Sequence, residues 1–375
     1  MWVFIFTFIL SFTFITNSSA QSIPFSSDKW DISARESRVE NYFGRESLYL
    51  KGGQALLKDS NFKNGVVEFD IAFSGERGFM GVIFRVQDNR NFEDFYMRPH
   101  QSGKPDANQY TPVFNGDSGW QLYHGEGYGA AIKYNLNNWM PVKLVVSGKR
   151  AEIYIMDMES PALVTHDLKR EIAAGKIGFK AGNLAPAHFS NFRFQNIDNP
   201  ELKGVPPKVE KASETTILSW QVSNNFSEEF LDQKHKLSKQ DKESLSWQKF
   251  ACEETGVANL ARLQSPRDGK NSVFAKVIIH SEHEQIKKIQ FGFSDRIKVF
   301  FNDRLLYSGN NGYASRDFRF LGTIGFFDEL YLPLKKGENQ VWMAVSEDFG
   351  GWGLLAKLEN LDGVKIQEEI QHSSK

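Results

Sequence analysis

Apolar and polar residues alternate in short runs along most of the chain, and turn formers punctuate them every few positions. In Val66-Val67-Glu68-Phe69-Asp70-Ile71, positions 67, 69 and 71 are apolar while 68 and 70 are acidic, which predicts a half-buried strand. Asn64-Gly65 just before it is a hairpin-type turn signal. Val142-Lys143-Leu144-Val145-Val146 and Ala151-Glu152-Ile153-Tyr154-Ile155 flank Ser147-Gly148-Lys149-Arg150, a strand, a short loop and a strand. Gly175-Lys176-Ile177-Gly178-Phe179 and Phe189-Ser190-Asn191-Phe192-Arg193-Phe194 add two more strands. No long helical period lies between them, so residues 30–194 predict an antiparallel sandwich.

The texture changes after Gln195. Asn199-Pro200, Gly204, Pro206-Pro207 and a Lys/Glu mixture carry no apolar period up to Thr216, which marks a linker over residues 196–216. Ile217-Leu218-Ser219-Trp220 opens a second unit, and the charged residues 227–243 predict a loop with a helical turn. Apolar runs at 273–279, 288–293, 296–301 and 340–346 predict strands, with Asn302-Asp303 as a hairpin connection. The halves share no internal repeat. The expected fold is all-β, with two antiparallel β-sandwich (jelly-roll) domains at 21–195 and 217–362 joined by the linker. A signal peptide at 1–20 precedes them and a polar tail at 363–375 follows.

Residues 2–15 form an almost unbroken apolar run, too short to span a bilayer, which needs about 20 apolar residues. Asn17-Ser18-Ser19-Ala20 then places small residues at −3 and −1 of a cut after Ala20, the pattern of an export signal. No Lys or Arg precedes the run, and an uncleaved anchor is the alternative. With cleavage the mature chain starts at Gln21, is secreted or periplasmic, and retains no transmembrane helix. Charge then narrows the partners. Lys plus Arg number 45 against 46 Asp plus Glu, a net charge of −1, which argues against nucleic acid. An apolar share of 41% with 24% charged supports true cores. Cys252 is the sole cysteine, which excludes an internal disulfide and a cysteine-based metal centre.

Several motifs invite chemistry and then fall short of it. Glu68-Phe69-Asp70 opens the Glu-x-Asp-x-x-Glu signature of laminarinase-type glycosidases, but Ala72, Phe73 and Ser74 follow in place of the second Glu. A retaining enzyme needs two carboxyls about 5–5.5 Å apart, so that class is rejected. His280 and His283, three apart on a strand, face opposite ways and could not share a metal. Asp88-Asn89-Arg90-Asn91 either offers oxygens to calcium or forms a turn. No other cofactor and no metal site is implied. Gly350-Gly351-Trp352-Gly353 reads as a glycine-assisted kink that seats Trp352 in the core.

The informative stretch is 92–128, where aromatics alternate with Arg, His, Gln, Asn and Glu. In Phe95-Tyr96-Met97-Arg98-Pro99-His100, an extended chain puts Tyr96, Arg98 and His100 on one face, and Pro99 limits the strand to an edge or bulge. Upstream, Val82, Phe84 and Val86 would face the core and leave Arg85 opposite. Downstream, Trp120-Gln121-Leu122-Tyr123-His124 would put Gln121 and Tyr123 on the face opposite Trp120, Leu122 and His124. Between them, 101–115 is too polar and turn-rich for core and carries Gln109 and Tyr110. Aromatic rings stack on sugar C–H faces and planar polar side chains fix hydroxyls, so this mixture suits a carbohydrate. The candidate ligand-binding residues are Arg85, Tyr96, Arg98, His100, Gln109, Tyr110, Gln121 and Tyr123. The bland alternative is a solvated sheet face with a long structured loop.

Residues 30–194 resemble the concanavalin A-like (laminin G-like) sandwich of bacterial secreted proteins of the 3-keto-disaccharide hydrolase-like type. The strand 65–71, Trp139 with 142–146, Gly175-x-Ile177-Gly178-Phe179 and Phe189-x-Asn191-Phe192 carry the likeness. The second unit resembles a galactose-binding-type jelly roll through 294–302, 334–339 and 349–353, and no ligand residue carries over from it. Together these readings expect an exported carbohydrate- or glycoconjugate-binding protein that uses the concave face and loops of the first sandwich. The second sandwich is an accessory module open to a protein partner. One alternative is an enzyme on a (3-keto) glycoside, with His100 or His124 as base, Arg98 steadying an enolate and Glu126 as acid. The other is an interaction module without catalysis.

Overall fold

The computed structural model describes residues 22–367. The expected signal peptide and its cleavage position lie outside the described residues, as do positions 368–375 of the expected tail. Twelve strands make the first half: β1 (Trp30–Tyr42), β2 (Arg45–Leu57), β3 (Gly65–Ala72), β4 (Met80–Asp88), β5 (Asn91–Met97), β6 (Asn108–Phe114), β7 (Asp117–Ser118), β8 (Met140–Ser147), β9 (Arg150–Ile155), β10 (Leu163–Thr165), β11 (Lys176–Ala181) and β12 (Ala187–Asn196). They form one 12-stranded antiparallel sheet in the order β10-β9-β8-β3-β12-β2-β11-β4-β5-β6-β7, with β1 added on β2. The curl is made at β2, which hands over from β12 at residues 48–50 to β11 at residues 53–56. The sheet thus closes over its own apolar face. Phe69, Phe179, Phe189 and Phe192 meet there, with the 179 and 189 ring centroids 4.3 Å apart. Each such fully buried ring contributes about 1.5–3 kcal/mol.

The second half contains β13 (Ser219–Ser223), β14 (Trp247–Ala251), β15 (Ala258–Asn259), β16 (Ser272–Ser281), β17 (Gln285–Ser294), β18 (Arg296–Phe301), β19 (Arg304–Asn310), β20 (Asp328–Leu334), β21 (Gly337–Ser346), β22 (Gly353–Leu358) and β23 (Val364–Gln367). A 7-stranded sheet, β14-β13-β16-β21-β18-β19 with β23 on β16, faces a 4-stranded sheet, β15-β22-β17-β20. Trp220, Phe291, Val299 and the wholly buried Trp352 fill the space between them. Asn302 and Asp303 both take positive φ, 46° and 72°, as a two-residue hairpin turn of matching twist requires. In 227–243 the expected helical turn is α1 (Lys239–Glu243), started by a capping box between Ser238 and Asp241. The fold is all-β, as expected.

Three local expectations change. The stretch 101–115, read as loop, contains β6, and all seven of its residues are buried. Its polar side chains are satisfied internally: Asn108 brackets the Ala130 backbone, donating to its carbonyl at 3.0 Å and accepting from its N–H at 3.1 Å. Residues 120–124 are a turn against the second half and not a strand. Arg85 sits at φ 49° in a bulge of β4, which swings it inward.

The halves meet through a polar seam. Gln121 N–H donates to Gly350 O at 2.8 Å, and its side chain donates to Leu321 O at 2.8 Å and accepts from Ser294 Oγ at 2.8 Å. Asn115 Nδ2 donates to Ala261 O at 2.8 Å, and buried Lys169 pairs with Glu253 at 2.7 Å. Among the described residues no helix is long and apolar enough to cross a membrane.

Candidate functional site

A cleft of about 420 Å³ opens along this seam. Its floor is the end of β5 and the single 3-10 turn Pro99–Gln101, which follows because Pro99 cannot extend the strand. Its far wall comes from the second half, where Tyr313, Leu321 and Phe349 face in. Tyr96, Arg98 and His100 line it together, although the chain leaves β5 after Met97. Phe79 packs edge-on against Tyr96 at 5.9 Å and against His100 at 5.6 Å. Trp120 and Phe349 approach to 5.6 Å across the seam, and Phe349 is 61% exposed. The cleft therefore presents ring faces from both halves.

Arg98 is fixed before any ligand arrives. It is only 7% exposed, with Nη1 donating to Asp106 O at 2.9 Å and Nη2 to the Tyr96 hydroxyl at 2.9 Å and to Gln109 Oε1. Gln109 is locked in turn, its amide donating to Trp120 O at 2.8 Å and Tyr123 O at 2.6 Å. Alternation alone would leave Arg98 dispensable for the core; its burial and bonds make it a staple of the cleft floor as well. Asp94 is 1% exposed and receives Lys180 Nζ on Oδ2 at 2.7 Å. Its Oδ1 is buried with no partner, as is His100 Nδ1. Burial, with Arg77 and Arg98 nearby, lowers the His100 pKa and keeps the ring neutral near pH 7. Burial raises the Tyr96 hydroxyl well above its ordinary value, so it stays protonated.

The remaining candidates lie elsewhere. Arg85 is buried under β4, donating to Lys63 O at 2.8 Å, Gly148 O at 2.6 Å and Asn64 Oδ1 at 3.1 Å. The Tyr110 hydroxyl donates to buried Glu93 at 2.7 Å and accepts from Lys169 N–H at 2.7 Å. Tyr123 donates to Glu253 and accepts from Asn259 at 3.2 Å, both in the seam. Gln121 is wholly engaged in the same seam, and Gln109 lies beneath Arg98. His124 Nε2 stands 3.1 Å from Ile324 O, and neither it nor exposed Glu126 lines the cleft. The turn Asp88-Asn89-Arg90-Asn91 joins β4 to β5, with Asp88 Oδ1 accepting from Arg90 N–H at 2.7 Å and Asn91 Nδ2 at 3.1 Å. Among the described residues no group of three His, Cys, Asp or Glu side chains could hold a metal ion.

Sequence reasoning missed Asp94, Lys180, Trp120, Tyr313 and Phe349. For Asp94 a signal existed, since it shares the parity of Tyr96 on β5. For Lys180 and Phe349 there was none, because pairing and the seam bring them in from remote positions.

No family model matches the chain, and no curated protein matches it. Solved structures do resemble part of it. A carbohydrate-binding module from Bacillus subtilis is 18% identical over 45% of this chain and 96% of its own, with a TM-score of 0.35. A protein of unknown function with a galectin-like fold, also from Bacillus subtilis, is 13% identical over 46% of this chain and 90% of its own, at 0.35. A Bacillus licheniformis beta-glucanase is 11% identical over 48% of this chain and 99% of its own, at 0.35.

Proposed function

We propose that the cleft binds a neutral carbohydrate and that the protein is an exported carbohydrate-binding protein. The observation that carries this is the joint presence, in one cleft, of exposed ring faces and of hydrogen-bonding side chains from one strand end, Tyr96, Arg98 and His100. Sugar hydroxyls can bond to these polar groups and to Lys180, while the ring C–H face rests on Trp120 and Phe349. Charge favours a polyol over a polyanion: Arg77, Arg98, Lys180 and Arg267 line the cleft, and so do Asp94, Asp106, Asp117 and Asp348.

The test is calorimetric titration of the mature chain with a panel of neutral oligosaccharides. Phe349→Ala removes an exposed ring and is expected to weaken binding tenfold or more with an unchanged melt. Glycan affinities equal in the parent and in Phe349→Ala would reject this cleft as the site.

A second reading is enzymatic, and the state of His100 favours it. A neutral imidazole is equipped to take the acidic proton beside a carbonyl, and Lys180 and Arg98 supply cations for the resulting enolate. This fits the resemblance of residues 30–194 to 3-keto-disaccharide hydrolase-like proteins, with His100 rather than His124 as base and no part for Glu126. Turnover of 3-keto-glycosides by the parent, lost in His100→Ala while binding persists, would establish it. Binding without turnover leaves the first reading alone.

A further inference from the structure

The cleft does not end at Lys180. A second, wider groove of about 690 Å³ adjoins it, and Gly116, Ser118, Lys180 and Arg267 line both. The register of the sheet shows why they are continuous. Ser33 pairs with Gln54, Gln54 with Lys180, Lys180 with Gly81, Gly81 with Tyr96, and Tyr96 with Gln109. One lateral row therefore runs from the edge strand β1 to the cleft floor. Four strand spacings of about 4.8 Å separate Ser33 from Tyr96, roughly 19 Å in all, far more than one sugar ring spans.

The chemistry along the row is that of a hydroxyl-rich ligand. The groove is floored by Gly52, Gly53 and Gly182, which leave the backbone bare. Gly52 is obligatory, since its φ is +68° and a Cβ there would meet Asn183 Oδ1 at 2.4 Å. The rim carries the uncharged Ser33, Gln54, Asn89 and Asn183, with Arg90 and Arg267 beside them, each already hydrogen-bonded to the protein, Arg90 to Asn115 O and Ser265 Oγ and Arg267 to Gly116 O. Among the described residues none of the four uncharged side chains hydrogen-bonds to the protein. Lys180 stands at the crossing, its ammonium 2.7 Å from Asp94 on the cleft side and 5.3 Å from the Phe92 ring on the groove side. Each space alone falls within the 300–1,000 Å³ of an ordinary small-molecule site.

We propose that cleft and groove are one channel, and that its ligand is an oligosaccharide chain which continues past Lys180, not a lone terminal sugar. This rests on the carbohydrate reading of the cleft. The groove holds the sugars beyond the one seated on Trp120 and Phe349, through hydroxyl bonds to the free amides and Ser33.

The experiment titrates the mature chain with β-1,3-, β-1,4- and α-1,4-glucan oligosaccharides of one to six sugars. In the parent, affinity for the series that binds should rise at least tenfold between the disaccharide and the pentasaccharide. Ser33→Trp, on an exposed edge strand, fills the groove and should bring that ratio close to one; Asn89→Trp, on a separate turn, does the same from the other rim. Circular dichroism and a thermal melt confirm that each variant folds. Equal affinity at all lengths overturns the channel and leaves the cleft reading standing. A length dependence that survives both variants also overturns it. Failure of every series at every length overturns the cleft reading with it.

Discussion

Replacing Asp117 with Asn should stabilise this protein at neutral pH, although Asp117 is buried and hydrogen-bonded. The wall of the cleft formed by residues 348–352 hangs on three carboxylates. Asp295 Oδ2 accepts the Asp348 and Phe349 amides, each at 3.0 Å; Glu347 Oε1 accepts the Gly351 amide at 3.0 Å; Asp117 Oδ2 accepts the Trp352 amide at 3.0 Å. Glu347 Oε2 is buried without a partner. Burial pushes Asp117 up to about 6 from 3.8, with Asp295 adding repulsion and Arg267 opposing it. Burial likewise raises Asp295 and Glu347; Arg296 opposes the rise at Asp295, and Asp348 adds repulsion at both. A carboxyl whose folded pKa exceeds its unfolded value binds more protons in the native state. Its contribution is therefore complete below about 3.8 and is lost as pH rises through about 6. The two values differ by about 2, which at 1.36 kcal/mol each is about 3 kcal/mol lost at pH 7.5. Asp117→Asn keeps an acceptor for the Trp352 amide and carries no charge. Urea unfolding of parent and variant from pH 4 to 8 reads the buried charge together with the repulsion it exerts on Glu347, since Asp117 helps to raise that carboxyl too. The variant should gain up to about 3 kcal/mol at pH 7.5 and nothing near pH 4. A difference that stays flat across that range would refute the buried-charge argument.

Other expectations follow from the same geometry. Arg98→Ala should abolish glycan binding and also cost about 1–3 kcal/mol in urea unfolding, because Gln109 Oε1 loses its guanidinium partner and the Asp106 carbonyl is left unpaired; unfolding identical to the parent would deny Arg98 its structural part. Glu253→Ala leaves the 5%-exposed Lys169 side chain with Asp167 alone and takes the acceptor from the buried Tyr123 hydroxyl, so it should cost about 1–3 kcal/mol by denaturation; a loss under about 0.5 kcal/mol would mean the seam is only a surface contact. Limited proteolysis should nick residues 205–211, where Val205 is 88% exposed, and the two fragments should co-elute on gel filtration; separation into two peaks would show that the seam does not hold them. Mass spectrometry of the exported protein should find its N-terminus at Gln21, and an intact Met1 would rule out cleavage.

What could be read in the sequence was whatever had one wet face. β3 and β8 alternate because solvent reaches one side, and Glu68 and Asp70 on that side pair with Arg193 and with Arg45. β6 hid for the opposite reason. It is covered on both faces, so no period of two survives, and its Asn108, Gln109 and Thr111 mimic a loop. Their bonding partners, the backbone at 120, 123 and 130, cannot be paired with them before the fold is known. Arg85 misled through the β4 bulge, where one extra residue against β11 inverts the parity on which the face assignment depended. Gln121 and Tyr123 misled differently: their polarity was real and their target was the other half of the protein.

That last error explains why the site was only half legible. Tyr96, Arg98 and His100 could be grouped from the sequence because they are neighbours in the chain, and local order alone keeps them together. Lys180 reaches the cleft through pairing of β11 with β4 and of β4 with β5, so its place depends on a register no local pattern encodes. Phe349 reaches it through the seam, which exists because Gln121, Asp117 and Asn115 of the first half are bonded across to the second. The 348–352 wall is held from both sides, by Asp295 and Glu347 within its own half and by Asp117 from the other. A first half cut away at the linker would lose the Phe349 ring and expose Asp117, Gln121 and Tyr123 together. The second half is thus a structural part of the cleft, and the seam between the two units is what holds its two walls together.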